Sequence, residues 1–191
     1  MPVTIEKSGA VWTVILSRPQ ARNAVNPETA TKLYDAFLAF HREATASIAV
    51  FTGDANVFCS GFDLKAAATM SDEQSLAGLA FPELDDGRPS RGPMGPTRLE
   101  LDKPVIARSR GRRSPAAWSS ALWCDMRVMA ASACMGVYCR RWGVPLIDGG
   151  TVRLPRLVGE GRARDNHFDR PQGHGRRALP HRPLRAARAR R

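Results

Sequence analysis

The chain has 191 residues, 43% hydrophobic and 25% charged, the size and composition of one globular domain with a sizeable core. Its net charge of +11 invites a nucleic-acid reading, but residues 162–191 hold ten arginines and two aspartates, and Arg108, Arg110, Arg112 and Arg113 add four more positive charges. The remainder sits near −1, so the basicity belongs to two short segments and a domain-wide basic surface is excluded.

No apolar run is long enough to span a membrane. Met1 to Ser8 carries Glu6 and Lys7 and lacks the apolar centre of a signal peptide, so a cytoplasmic protein is expected. Cys59, Cys124, Cys134 and Cys139 form no CxxC pair and no zinc spacing, which suggests reduced thiols and no metal.

Val11 to Ser17 is rich in β-branched and apolar residues and is predicted to be a strand that ends at Arg18-Pro19. Asn26-Pro27-Glu28 starts a helix, with Asn as N-cap, Pro at the first position and an acid in the first turn. Ala30, Leu33, Tyr34, Phe37 and Leu38 then recur on one predicted buried face. Ser47 to Thr52 is a second buried strand, closed by Gly53-Asp54, and residues 63–68 have helix-forming composition.

The glycines and prolines of residues 80–98 predict a long loop near the surface. Pro104 to Ala107 is a short strand, Ala121-Leu122-Trp123 a helix end, Met126 to Ala131 a further strand, and Asp148-Gly149-Gly150-Thr151 the opening of another helix. Alternating strands and helices over one core favour an α/β fold. After about Gly161 the apolar pattern stops, and residues 161–191 are predicted to be a basic, disordered tail behind a domain of residues 1–160.

Four stretches carry a family resemblance. Leu16-Ser17-Arg18-Pro19-Gln20-Ala21-Arg22-Asn23-Ala24 is similar to a strand-RP-x-x-x-NA segment, and Phe58 to Lys65 to F-x-x-G-x-D-[IL]-K. Lys103 to Ala107 and Ala121 to Ala130 are similar to KP-[VI]-IA and AL-x-CD-x-R-x-A. In this order and at these spacings the chain resembles the crotonase, or enoyl-CoA hydratase/isomerase, family. The resemblance implies a ββα spiral and assembly as trimers or hexamers where the C-terminal segment is intact. It also implies an acyl-CoA substrate whose thioester carbonyl sits between two backbone N–H groups that stabilise an enolate. No cofactor is implied beyond the coenzyme A of the substrate.

Carried over by residue, the resemblance puts the first oxyanion N–H at Phe62. Ser60, Asp63 and Leu64 would line the thioester channel, Ala21, Arg22 and Ala24 the pantetheine and adenine side, and Lys65 the nucleotide. For Arg22 and Lys65, ordinary solvated charges are the competing reading.

Between Ala107 and Ala121 the chain departs from the family's G-x-x-x-G-G-G-x-E-L. Ala116 takes the place of the second oxyanion glycine and Ser119 that of the acid/base glutamate, which a serine cannot replace. Codons permitted for Arg108 to Ser120, read in another frame, give I-E-G-P-A-V-A-G-G-L-E-L, and a different offset recovers an L-T-G-R segment from the tail. Frame-shifted segments would thus account for both arginine-rich stretches and for a garbled C-terminal helical segment. Cys139 falls where a second catalytic carboxylate is usual. Asp148 is the nearest acid to stand in for it, and a helix N-cap is an equal reading of Asp148.

Three functions follow. One is a hydratase/isomerase-type acyl-CoA enzyme. The second is a CoA-binding protein of that fold without turnover. The third, weakest for want of an aromatic platform beyond Phe168, is nucleic-acid binding through the tail.

Overall fold

The computed structural model describes residues 1–55, 57–73, 91–109, 115–130 and 133–168. Strands β1 (Val3–Ser8) and β2 (Val11–Leu16) form an antiparallel hairpin. Its turn needs Gly9, which sits at φ +57° where a side chain would be strained. β2 pairs in parallel with β3 (Ile48–Gly53), β3 with β4 (Val105–Ser109), and β4 with β6 (Met126–Met129), giving the sheet order β1-β2-β3-β4-β6. A second, two-stranded parallel sheet joins β5 (Pro115–Ala117) to β7 (Cys134–Gly136). The result is an α/β fold, as the alternating sequence pattern predicts.

Helix α1 (Pro27–Arg42) starts as its sequence dictates. The Asn26 side chain accepts the Thr29 N–H at 2.9 Å, and Pro27 fills the first position. Its buried face is Thr29, Ala30, Leu33, Ala36, Phe37 and Phe40; Tyr34 and Leu38, predicted on that face, are only half-buried. The face packs on the alternate residues Trp12, Val14 and Leu16 of β2 and on Phe51. Phe37 sits edge-on between Phe51 (5.3 Å) and Trp123 (4.8 Å). Lys103 closes the helix, its Nζ donating to the carbonyls of Phe40 (3.3 Å) and Glu43 (2.6 Å).

Beyond the short α2 (Leu64–Ala67), α3 (Trp118–Trp123) leads into β6. The guanidinium of Arg127 caps α3 by donating to the carbonyls of Ala121 (3.1 Å) and Cys124 (2.7 Å). Asp125 Oδ2 accepts the Val105 N–H at 2.7 Å and so pins the start of β4. Several residues that carry the family resemblance in this half of the chain are therefore structural ones.

Two expectations are corrected. Residues 92–97, part of the predicted surface loop, are largely buried: Gly92 and Gly95 exchange two backbone hydrogen bonds at 2.9 Å, and Met94, Pro96 and Thr97 lie in the interior. Gly95, at φ +92°, passes so close to α1 that a Cβ would stand 2.5 Å from the Ala30 carbonyl. The rest of that loop, residues 80–90, lies outside the described residues. Helix α4 (Gly150–Val158) is followed by α5 (Glu160–Phe168), so helix continues through the point where a disordered tail was predicted to begin. The reason is one contact the composition hides: Ala163 is buried in a small second core with Leu122, Val137 and Leu154. The remainder of the predicted tail, 169–191, lies outside the described residues.

Candidate active site

The site grows from the turn after β2. Arg22 and Asn23 both take left-handed backbone (φ +50° and +56°), a conformation asparagine tolerates better than most residues. Asn23 is fully buried and uses its whole amide. Its Oδ1 accepts the Arg18 N–H at 2.7 Å, and its Nδ2 donates to the carbonyls of Asp54 (3.0 Å) and Val57 (2.6 Å). This ties the end of β2 to the segment after β3. Arg18 Nη1 donates to the Ala24 carbonyl and to Asp63 Oδ2, the latter at 3.0 Å.

Phe62 is held by a single parallel bridge to Val25, in which Val25 N–H donates to Gly61 O (2.8 Å) and Asp63 N–H to Val25 O (2.9 Å). Such a bridge uses Val25's own N–H and C=O and the groups flanking Phe62, and turns the Phe62 N–H the other way. No acceptor for the Phe62 N–H is found among the described residues. Gly61 makes the approach possible at φ +110°.

The residues the sequence assigns to the coenzyme side come together here. Ser60 Oγ lies 3.3 Å from the Ala21 carbonyl, and Arg22, Ser60, Leu64 and Lys65 are exposed around the same turn. Two of the assigned side chains are not free to face a ligand. Ala24 is buried with its carbonyl bonded to Arg18, and the Asp63 carboxylate is engaged by Arg18 and by the N–H groups of Lys65 (3.1 Å) and Ala66 (3.4 Å), capping α2. Burial would raise the Asp63 carboxyl. The Arg18 hydrogen bond, the Ala66 and Lys65 donors and the Arg18 charge outweigh that and hold it below the ordinary carboxylate range.

Ala116 lies in β5 opposite Met135. Ser119 is buried in α3, beside a fully buried Ser120 whose Oγ has no partner among the described residues. Neither hydroxyl titrates in a useful range. A concavity of about 500 Å³ lined by Arg18, Gln20, Asn26 and Glu28 holds none of the assigned site residues, and both of its charged side chains are already paired.

Asp148 does not cap α4; Gly149 occupies that position and no side chain caps the helix. Asp148 Oδ1 instead accepts from the Met94 N–H (3.0 Å) and the Thr97 hydroxyl, inside the fold at 6% exposure. Burial pushes its carboxyl upward, more than Thr97, Met94, Arg98 and Arg153 pull it down. Its charge also reaches Cys59 and Cys139. Burial first, and Asp148 in addition, push the Cys59 thiol up to about 12 and raise Cys139 as well, so neither is a thiolate at neutral pH.

The enoyl-CoA hydratase/isomerase family profile matches residues 6–167. The chain belongs to the enoyl-CoA hydratase/isomerase family. It is 35% identical over 156 residues to the carnitinyl-CoA dehydratase of Salmonella enteritidis PT4, a match covering 81% of this chain and 55% of that protein. The carnitinyl-CoA dehydratase of Proteus mirabilis is 34% identical over 152 residues, 78% of this chain and 54% of that one. Among solved structures, an enoyl-CoA hydratase from Bacillus anthracis superposes with a TM-score of 0.72 at 26% identity, covering 87% of this chain and 62% of that chain. A carnitinyl-CoA dehydratase from Mycobacterium avium 104 gives the same TM-score at 28% identity, covering 86% and 61%. The chain spans about half the length of the curated relatives it matches.

Within this family member the crotonase-type α/β fold read from the motifs is the fold observed. Sequence reading passed over Arg18 and Asn23 as working residues, although both stand in the RP-x-x-x-NA segment that carried the resemblance. It also passed over Arg153, which donates to the carbonyls of Asp148 (3.0 Å) and Thr97 (2.8 Å). The Asp148 carbonyl lies only five residues back at the entrance of α4, but the Thr97 carbonyl is 56 positions away and is brought to Arg153 by the tertiary fold alone.

Proposed function

We propose that this protein acts on an acyl-CoA thioester by stabilising its enolate, in the manner of hydratases and isomerases of its family. The observation that carries the reading is the Phe62 N–H, unengaged among the described residues and presented by a glycine-enabled bridge beside the half-buried Ala21 and the exposed Arg22, Ser60 and Lys65. A preorganised donor of this kind contributes roughly 3–4 kcal/mol to a developing oxyanion. Phe62 supplies that donor, and Ala116 stands at the second donor's place. Ser60 and Leu64 border the thioester, while Ala21, Arg22 and Lys65 border the coenzyme.

Proton transfer is the weak element. Ser119 has no titratable group where the family places its glutamate, and Cys139 is a protonated thiol where the second carboxylate is usual. Asp148, whose carboxyl is shifted toward the neutral form, stands in for that carboxylate and assists slow hydration or isomerisation. Hydration of crotonyl-CoA is therefore expected roughly 10²–10⁴-fold below that of a family member with a glutamate in place. Calorimetric titration with crotonyl-CoA and a hydration assay test both halves. Absence of any thioester binding overturns the reading, and turnover equal to a two-acid relative overturns the account of Ser119. Homo-oligomers belong to the same reading for a chain with an intact C-terminal segment.

A further inference from the structure

We propose that Arg18, through its ion pair with Asp63, is a positioning residue that sets the Phe62 N–H for the thioester carbonyl. The inference rests on the functional reading above and goes beyond it, because Arg18 touches no part of the ligand in that reading.

The geometry is specific. The Val25–Phe62 bridge is isolated, with only two backbone hydrogen bonds to fix its register. It is flanked by left-handed residues, Arg22 and Asn23 on one side and Gly61 on the other. Arg18 Nη1 spans this bridge. It donates to the carbonyl of Ala24, the residue before Val25, and to the carboxylate of Asp63, the residue after Phe62. The pair is largely withdrawn from water, with 16% and 14% of the two side chains exposed, so screening does little to weaken it. Asp63 is fixed in turn by capping α2.

Arg18 is itself anchored. Its N–H donates to Asn23 Oδ1, and its carbonyl accepts from the N–H groups of Ala21 and Asn23, each at 2.9 Å. The chain of contacts runs from the buried Asn23 through Arg18 to Asp63 and so to Phe62. An oxyanion donor acts only within a few tenths of an ångström of its target distance, and a misplacement of about 1 Å costs roughly 10²-fold in rate. A two-bond bridge without its clamp has that freedom.

The test uses the full chain, its Arg18→Gln, Arg18→Lys and Asp63→Asn variants, and two ligands. Acetoacetyl-CoA has a thioester carbonyl and an enolate visible in the near ultraviolet; free CoA has no carbonyl. In Arg18→Gln and Asp63→Asn the enolate signal at saturation is expected to fall about tenfold or more. Affinity for free CoA should change much less, and Arg18→Lys, which restores the charge opposite Asp63, should recover part of the enolate signal. Asn at position 63 still caps α2, so that variant keeps its fold. Amide hydrogen exchange supplies a reading without ligand: the Val25 and Asp63 N–H groups should exchange faster in Arg18→Gln while those inside β3 do not. An unchanged enolate signal in both charge-removing variants, or unchanged exchange at Val25 and Asp63, overturns the proposal. A parent chain that binds neither CoA compound overturns the functional reading instead, and the exchange data still decide whether Arg18 clamps the bridge.

Discussion

Asp148 Oδ1 accepts the hydroxyl of Thr97, joining the entrance of α4 to a buried turn far behind it in sequence. With the Met94 N–H on the same oxygen, the carboxyl works as a staple as well as a candidate acid. Its folded value is raised, so the native state keeps this proton to higher pH than the unfolded chain does. Stability should therefore fall as pH climbs from the ordinary carboxylate range through the folded value, and stay level above it. Asp148→Asn offers an oxygen to the same two donors and carries no charge. Its stability relative to the parent is expected to grow across that window and then hold, as read by urea unfolding at a series of pH values. A variant that instead loses stability relative to the parent as pH rises would show that the charge facing Arg98 and Arg153 matters more than its burial. The same variant judges chemistry: unchanged thioester turnover removes Asp148 from the mechanism.

Asn23 predicts a large loss. Asn23→Ala strips the acceptor from the Arg18 N–H and the donor from the Asp54 and Val57 carbonyls, and leaves alanine at φ +56°. Orphaned buried groups cost about 1–3 kcal/mol each, so destabilisation of roughly 3–5 kcal/mol is expected. Denaturant midpoints at constant slope measure it; a loss under about 1 kcal/mol would mean water replaces the amide.

Ser120 predicts a gain. Its hydroxyl is buried in α3 without a partner among the described residues. Ser120→Ala removes an unsatisfied polar atom and adds helix propensity, so the chain should gain about 1 kcal/mol. Thermal unfolding reads this directly, and a drop in midpoint would reveal an acceptor for that hydroxyl.

Repair of the atypical stretch predicts function. Replacing residues 109–120 by I-E-G-P-A-V-A-G-G-L-E-L includes Ala116→Gly and Ser119→Glu, restoring the second donor's glycine and the acid/base. Crotonyl-CoA hydration should rise by about 10²-fold or more. Restoring the L-T-G-R frame after Arg162 should also return an apolar C-terminal helix and, with it, oligomers measurable by light scattering. A repaired chain that stays monomeric and binds no acyl-CoA would refute the frame-shift account as an explanation of function.

What the sequence by itself determined is whatever depends on neighbours along the chain. Asn26-Pro27 starts α1 because a cap and a fixed φ act within one turn, and the spacing of Ala30, Leu33 and Phe37 selects the buried face for the same local reason. The order of the RP, G-x-D and KP segments marks the fold because the first ends β2, the second begins α2 and the third begins β4. Tertiary structure alone decided the rest. β1 is polar and became a strand only because β2 offered it an edge. Residues 92–97 read as surface loop until Asp148 and Arg153 supplied buried partners for Met94 and Thr97. Arg18 read only as the end of a strand and Asp63 as a lining of the thioester channel, and their pairing spans 45 positions. A polar group's role is fixed by what stands within about 3 Å of it, and that distance is set by how the sheet and α1 pack, which no pattern within a single segment records.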